Sequence, residues 1–253
     1  MRYRFLCALA LVAGTSVPAQ LPRKGTRALV VVLHGGLGNA ARIEDGRSEN
    51  GLNLDKEAAA DGFIVAYLNG TPVTRFFGDR MLGWNAGGGC CGQSAANHID
   101  DVGYITGAVD YLADKYGVDR ARVYGIGHSN GAMMTMRMLC ETNVYAAGVS
   151  VSGPLNLDVA RCPAARGKRV LAIHGADDAN VPVAGGRGTK GLSGVAYQSE
   201  AHSEQVFRNS GAAYELQIVA SADHKLDDID SALESAKGTS IADEAARFFG
   251  LGR

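Results

Sequence analysis

The segment VYGIGHSNGAMM, residues 123–134, is the strongest guide to the fold of this chain. β-Branched and aromatic residues precede Gly127 and favour a strand, whereas good helix formers follow Gly131. Between them lies a Gly-x-Ser-x-Gly turn centred on Ser129. A glycine-serine loop without chemistry can show this pattern, but it needs neither a strand before it nor a helix after it. We therefore predict a strand-turn-helix elbow with Ser129 as candidate nucleophile.

The glycines of this turn have a steric reason. In such an elbow the strand and the helix pass so close that side chains two residues before and after the serine would collide. Gly127 and Gly131 occupy those positions. The amide of Asn130 then lies at the helix N-terminus, where it can donate a hydrogen bond to a developing oxyanion.

A second oxyanion donor is expected after the first strand. Residues 28–33, ALVVVL, form a continuous apolar run typical of a strand buried on both faces of a parallel sheet. The run ends in HGGLG, where a loop with few side chains can offer a backbone amide. Gly36 is the favoured donor, with Leu37 as the weaker candidate. An ordinary glycine turn is the alternative, and we would prefer it if the elbow were absent.

Candidates for the acid and the base follow later strands. The predicted strand 169–173 is followed by HGADDANVP, and an acid at such a strand end can orient a catalytic histidine. Asp177 and Asp178 are adjacent, and spacing does not choose between them. His224 follows the last predicted strand and is the candidate base. Serine, acid and histidine in this order are typical of the α/β-hydrolase fold, an α/β architecture with a mostly parallel sheet and helices on both faces.

Composition favours one enzyme-sized domain. With 253 residues, 46% hydrophobic content and a net charge of -1, the chain can bury one large core. It has no basic stripe, so we expect neither nucleic acid nor a membrane surface as partner. Residues 1–19 are read as a secretory signal peptide with a basic start and a short apolar run, too short for a membrane anchor. We thus expect a secreted or periplasmic protein with a single catalytic domain at 20–253.

The expected oxidising compartment gives the cysteines a meaning. Cys7 is removed with the signal peptide, and the mature chain keeps Cys90, Cys91, Cys140 and Cys162. An even number favours disulfides over a metal site or free thiols. Of three possible pairings we favour Cys140 with Cys162, because one ends the helix after the elbow and the other follows the next strand. Cys90 and Cys91 are then left as a vicinal pair.

A long loop from residue 69 to about 98 is expected to shape the site. It contains GWNAGGGCCG, with the single tryptophan of the chain, Trp84. A lone tryptophan is often a core residue, but in this setting we expect Trp84, together with Leu37, to contribute to substrate binding. His34 and His174 close earlier strands beside glycines, and we expect them to brace loops.

These motifs together resemble one family. The sequence GWNAGGGCCG, then DDVGYI at 100–105, GxSNGAMM at the elbow, and HGxxDxxVP at 174–182 resemble the secreted polyhydroxybutyrate depolymerase and feruloyl esterase family. The resemblance extends from about residue 29 to 209. It implies a nucleophile at Ser129, a base at His224 and an acid at Asp178 rather than Asp177, with no cofactor or metal.

Two positions depart from the family pattern. His128 stands where the family often has an apolar residue, which we interpret as tolerated variation, and DHKLDD at 223–228 replaces Gly-His-x-Trp-Pro.

The expected function is a serine carboxylic-ester hydrolase that acts through an acyl-enzyme on a small or oligomeric ester. The alternatives are a secreted dipeptidyl-type serine peptidase and a non-catalytic binding protein of the same fold. The sequence does not indicate an oligomeric state.

Overall fold

The computed structural model describes residues 25–74, 80–191 and 193–252; the predicted signal peptide lies outside these ranges. Strands and helices alternate along the chain. The strands are β1 (Arg27–Leu33), β2 (Ile64–Leu68), β3 (Thr71–Pro72), β4 (Leu82–Gly83), β5 (Val118–His128), β6 (Ala147–Val151), β7 (Arg169–Gly175) and β8 (Ala213–Val219). The helices are α1 (Ala40–Glu44), α2 (Asp55–Asp61), α3 (Gly92–Ala96), α4 (Asp101–Tyr116), α5 (Asn130–Glu141), α6 (Glu200–Asn209), α7 (Leu226–Lys237) and α8 (Ile241–Phe249).

Six strands form one parallel sheet in the order β2-β1-β5-β6-β7-β8. Strand β1 shows why the run ALVVVL needed apolar residues throughout. Leu29, Val31 and Leu33 belong to one hydrophobic cluster, whereas Ala28, Val30 and Val32 belong to the other. Because successive side chains point to opposite faces, a strand covered on both sides cannot alternate polar and apolar residues. The predicted α/β architecture is confirmed.

Helices cover both faces of the sheet. The first cluster contains residues of α4, α5 and α6, and the second contains residues of α1, α7 and α8. The elbow strand β5 pairs with β1 and β6 in the middle of the sheet. The carboxyl ends of parallel strands lie at one edge, so the loops after β1, β5, β7 and β8 meet there.

Two regions differ from the sequence-based expectation. The predicted long loop contains an antiparallel pair, β3 with β4, and the short helix α3. The segment after His224 is the helix α7, with Asp227 and Asp228 in its first turn, where carboxylates interact favourably with the helix dipole. Its buried residues Leu226, Ile229 and Leu233 recur at three and four positions, a periodicity that could have predicted it.

The structure joins the four cysteines in two pairs. Cys140 at the end of α5 is bonded to Cys162, with 4.5 Å between their Cα atoms, and Cys90 is bonded to Cys91. The first bond ties the helix after the elbow to the segment that follows β6. Among the described residues, no helix has the length and apolar character to cross a membrane.

Candidate active site

Ser129 lies on a sharp turn between β5 and α5. Its backbone φ of 55° is in a region that side-chain-bearing residues rarely adopt, as expected for a strained nucleophile turn. A Cβ atom on Gly127 would overlap the carbonyl of Gly131. One on Gly131 would instead overlap the carbonyls of Leu33 and His34. The first glycine therefore lets α5 approach β5, and the second lets it approach the end of β1.

The structure brings the three predicted triad residues together. His224 Nε2 lies 2.9 Å from Ser129 Oγ, and His224 Nδ1 lies 2.7 Å from Asp178 Oδ2. The other carboxylate oxygen of Asp178 accepts hydrogen bonds from the amides of Asn180 and Val181, each at 2.8 Å. These contacts lock the carboxylate in one orientation, with a proton on His224 Nδ1 and a free acceptor at Nε2 for the serine hydroxyl.

Burial by itself raises the pKa of the Asp178 carboxyl. Hydrogen bonds from His174 and His224 outweigh burial and hold that pKa well below its usual range. The adjacent Asp177 is exposed, and its backbone amide donates to the carbonyl of Ala222. Of the two aspartates that spacing left open, the one that contacts His224 is Asp178.

A buried polar chain extends behind Asp178. His174 Nδ1 lies 2.7 Å from Glu200 Oε1, and its Nε2 lies 2.8 Å from the carbonyl of Val181 and 3.2 Å from Asp178 Oδ2. Tyr214 donates its hydroxyl to Glu200 Oε2 at 2.8 Å. Burial lowers the pKa of His174, but hydrogen bonds with Asp178 and Glu200 outweigh it and raise this pKa to about 9. The sequence predicted only a loop brace at His174 and gave no sign of Glu200.

His128 also contacts the triad. Its Nε2 donates to the backbone carbonyl of His224 at 2.8 Å, and the two ring centroids are 5.0 Å apart. Burial lowers the pKa of His128 to about 3, so the ring is neutral. The sequence predicted only tolerated variation at His128; in the structure this residue also supports the loop that carries His224. The motif around Ser129 carries no signal of this contact with a residue far along the chain.

The two predicted oxyanion donors are neighbours. A Cβ atom on Gly36 would lie 3.7 Å from the Cβ of Asn130, and both residues line the cleft at Ser129. The amide of Leu37 donates to the carbonyl of Leu82 at 2.8 Å, so it is already engaged. Within the described ranges, the Gly36 amide has no such protein acceptor. This arrangement favours Gly36 over Leu37 as the second donor.

The cleft above Ser129 has a volume of about 930 Å³. Leu37, Val73 and Tyr197 give its walls apolar surface, and Arg42, Glu49 and Lys190 add charges of both signs. Leu37 thus lies where a substrate contact was predicted. In the part of the chain that the structure describes, no group of three or more His, Cys, Asp or Glu side chains is placed to hold a metal ion.

Trp84 does not line this cleft. Its side chain is 0% exposed and lies beneath the loops, with its ring centroid 5.1 Å from that of His34. The predicted direct contact between Trp84 and a substrate is therefore corrected. A bulky aromatic side chain in a glycine-rich loop can be enclosed by the surrounding backbone, and sequence composition does not distinguish this from exposure.

Comparison with known proteins identifies relatives whose sequences match part of the chain. Residues 57–162 match the Prolyl oligopeptidase family, a range that includes Ser129 but neither Asp178 nor His224. NocK of Nocardia uniformis subsp. tsuyamanensis, provisionally named an esterase, is 34% identical over 153 residues, which are 60% of this chain and 40% of that protein. Feruloyl esterase B of Neurospora crassa is 34% identical over 143 residues, 55% of this chain and 42% of that protein. The matched segments thus span less than half the length of either relative.

Solved structures resemble the whole domain at low sequence identity. The carboxylesterase of Bacillus cereus is 16% identical with a TM-score of 0.56, covering 97% of this chain and 94% of that one. An S-formylglutathione hydrolase from Agrobacterium tumefaciens is 14% identical with a TM-score of 0.59, covering 88% and 83%. SOBER1 of Arabidopsis thaliana is 16% identical with a TM-score of 0.55, covering 84% and 97%. With the parallel sheet and the elbow, these likenesses define the α/β-hydrolase fold.

Proposed function

We propose that this protein is a serine carboxylic-ester hydrolase. The observation that carries the proposal is the continuous hydrogen-bonded chain from Asp178 through His224 to Ser129, which opens into the cleft. The esterase names of NocK and Feruloyl esterase B, and the carboxylesterase among the similar structures, support the same class.

The proposed reaction follows from the positions of these groups. His224 Nε2 accepts the proton of Ser129 Oγ as that oxygen attacks the ester carbonyl carbon, and Asp178 stabilises the resulting imidazolium. The N–H groups of Gly36 and Asn130 stabilise the negative charge on the carbonyl oxygen. His224 then protonates the departing alcohol, which leaves an acyl-enzyme. Water attacks this ester with His224 as base, releasing the acid and restoring Ser129.

We further propose an enzyme similar to feruloyl esterases or polyhydroxybutyrate depolymerases. The relative named Feruloyl esterase B and the loop GWNAGGGCCG support this narrower class. The expected substrate is a small or oligomeric ester that fits a cleft of about 930 Å³. The paired cysteines and the apolar N-terminal segment support secretion or a periplasmic location of a domain at 20–253.

A serine peptidase is the second candidate, because residues 57–162 match the Prolyl oligopeptidase family. Peptide hydrolysis uses the same triad chemistry, so the triad geometry does not separate the two activities. The third possibility is a non-catalytic binding protein, which the aligned triad disfavours.

A substrate panel on the purified protein separates these possibilities. We expect p-nitrophenyl acetate, p-nitrophenyl butyrate and methyl ferulate to be hydrolysed, and a prolyl p-nitroanilide to remain nearly intact. Ser129→Ala should reduce ester turnover to below a few per cent without unfolding the protein, and a fluorophosphonate should label Ser129 only in the wild type. Preferred cleavage of the anilide would indicate the peptidase. The absence of both ester turnover and fluorophosphonate labelling would indicate the binding protein.

A further inference from the structure

The side chain of Asn130 is turned inward and holds the backbone of Trp84. Trp84 N donates to Asn130 Oδ1 at 2.7 Å, and Asn130 Nδ2 donates to the carbonyl of Trp84 at 3.0 Å. Asn130 Nδ2 also lies 3.6 Å from the sulfur of Cys90. All of these groups are buried, so each bond replaces hydration that the group lost on folding. The carboxamide is therefore fully used within the protein, and only the backbone amide of Asn130 is left for a ligand.

The indole of Trp84 is bonded to the loop that carries Gly36, the second predicted oxyanion donor. Its Nε1 donates to the carbonyl of His34 at 3.0 Å, directly before the Gly35-Gly36 turn. The His34 ring accepts the amide of Gly70 at Nε2 (3.1 Å) and donates from Nδ1 to the carbonyl of Gly35 at 2.8 Å. Burial lowers the pKa of His34 to about 4, which keeps the ring in the neutral form that these two bonds require. The loop of residues 34–38, which carries Gly36, is thus bonded to Trp84 at its first residue.

A short β-bridge completes the connection. Leu82 accepts a hydrogen bond from the amide of Leu37 at 2.8 Å and donates its own amide to the carbonyl of Gly38 at 2.9 Å. Residues 82–84 therefore contact both the loop that carries Gly36 and the first residue of α5. Gly36 and Asn130 come from different elements, and this three-residue segment is bonded to both.

We propose that the Asn130 carboxamide and the Trp84 indole are positioning residues that set the spacing between the backbone amides of Gly36 and Asn130. This inference rests on the proposed ester hydrolysis. Donors that are fixed before the reaction stabilise the transition state without reorganising, whereas donors that drift lose this advantage. The same drift costs little in the ground state, because the planar ester carbonyl carries less charge. We call the hydrogen bonds made by the Asn130 and Trp84 side chains the clamp. The clamp should therefore act on kcat rather than on KM.

Two substitutions keep both oxyanion amides and remove hydrogen bonds made by the side chains of Asn130 and Trp84. Asn130→Ala deletes both bonds to Trp84, and Trp84→Phe deletes the bond to His34. We expect each to lower kcat by about 10- to 100-fold while KM changes by less than about 3-fold, a smaller loss than for removal of a donor. Affinity for a boronic acid, which forms a tetrahedral adduct with serine, should weaken in parallel with kcat. The double variant should lose little more than the more severe single variant, because the residues act as one unit.

Asn85→Ala is the matched control. Its carboxamide donates to the carbonyl of Ile99 at 2.9 Å and holds the same loop without touching the oxyanion site. Thermal unfolding measures the loss of stability in all three single variants. We expect Asn85→Ala to keep kcat and boronic acid affinity within about 3-fold of the wild type at a comparable loss of melting temperature.

The inference is overturned if Asn130→Ala keeps wild-type kcat and boronic acid affinity. It is also overturned if Asn85→Ala loses as much kcat as Asn130→Ala at a similar melting temperature, because the bonds would then be a general brace. Failure of the proposed function looks different: Ser129→Ala would remain active, or wild-type protein would hydrolyse no ester.

Discussion

The buried pair of His174 and Glu200 makes stability depend on pH. Their contact of 2.7 Å is closed to solvent, and the other ring nitrogen of His174 faces Asp178 and the carbonyl of Val181. These carboxylates raise the pKa of His174 against the opposing effect of burial, from 6.5 to about 9. The folded protein therefore holds a proton that the unfolded chain releases at neutral pH.

The sign and the size of the effect follow from these two pKa values. Because the folded pKa is the higher one, the stabilisation is fully present below about pH 6.5 and is lost as the pH rises through about 9. At about 1.4 kcal/mol per pKa unit, the rise from 6.5 to about 9 corresponds to roughly 3 kcal/mol. This amount is a large part of the stability of an ordinary domain.

The reference protein for the measurement is the double variant His174→Gln/Glu200→Gln. It removes both charges but leaves an amide oxygen at 200 for the hydroxyl of Tyr214. Urea unfolding between about pH 6 and 9.5 gives the free energy of unfolding of both proteins. We expect the difference between wild type and variant to fall by roughly 3 kcal/mol over this range.

Groups that do not contact this pair cancel in the difference. Burial lowers the pKa of Lys168 to about 8, but this residue titrates in both proteins alike. A free-energy difference that stays constant from pH 6 to 9.5 would refute the reasoning, because His174 would then carry no extra proton in the folded state.

Three further predictions concern the acid, the sulfurs and the elbow. Asp178→Asn should lower kcat by orders of magnitude and Asp177→Asn far less, since only Asp178 contacts His224; steady-state kinetics showing the reverse ranking would move the acid to Asp177. The four mature cysteines should show no free thiol by mass spectrometry of the denatured, unreduced protein, and two reactive thiols would remove the bond between Cys90 and Cys91. Gly131→Ala should destabilise the fold by about 2 kcal/mol or more, because its Cβ would overlap the end of β1. Gly107→Ala is the control, because a Cβ there would have nothing within 4 Å, and it should raise the free energy of unfolding by about 0.5–1 kcal/mol. Equal urea unfolding curves for the two alanine variants would contradict the steric account of the elbow.

Local patterns predicted much of the fold. The apolar run at 28–33 lies within β1, the predicted strand 169–173 lies within β7, and Ser129 lies on the expected turn. Each of these signals comes from residues that are neighbours in the chain. Short elements such as β3 and β4 carry almost no sequence pattern, so they could not be predicted. Helix α7 does carry an apolar spacing of three and four residues, which is a sufficient signal for a helix.

The sequence by itself determined the order of the candidate triad, because strand ends and glycine turns are local features that place Ser129, an aspartate at 177 or 178, and His224 on loops of one sheet edge. Only the tertiary structure decided what surrounds them. The bond from His128 to the His224 carbonyl and the clamp between Asn130 and Trp84 join residues far apart in the chain. Burial of a polar group requires a partner, and the partner is whichever group the packing of distant elements brings within reach, which composition and periodicity do not encode.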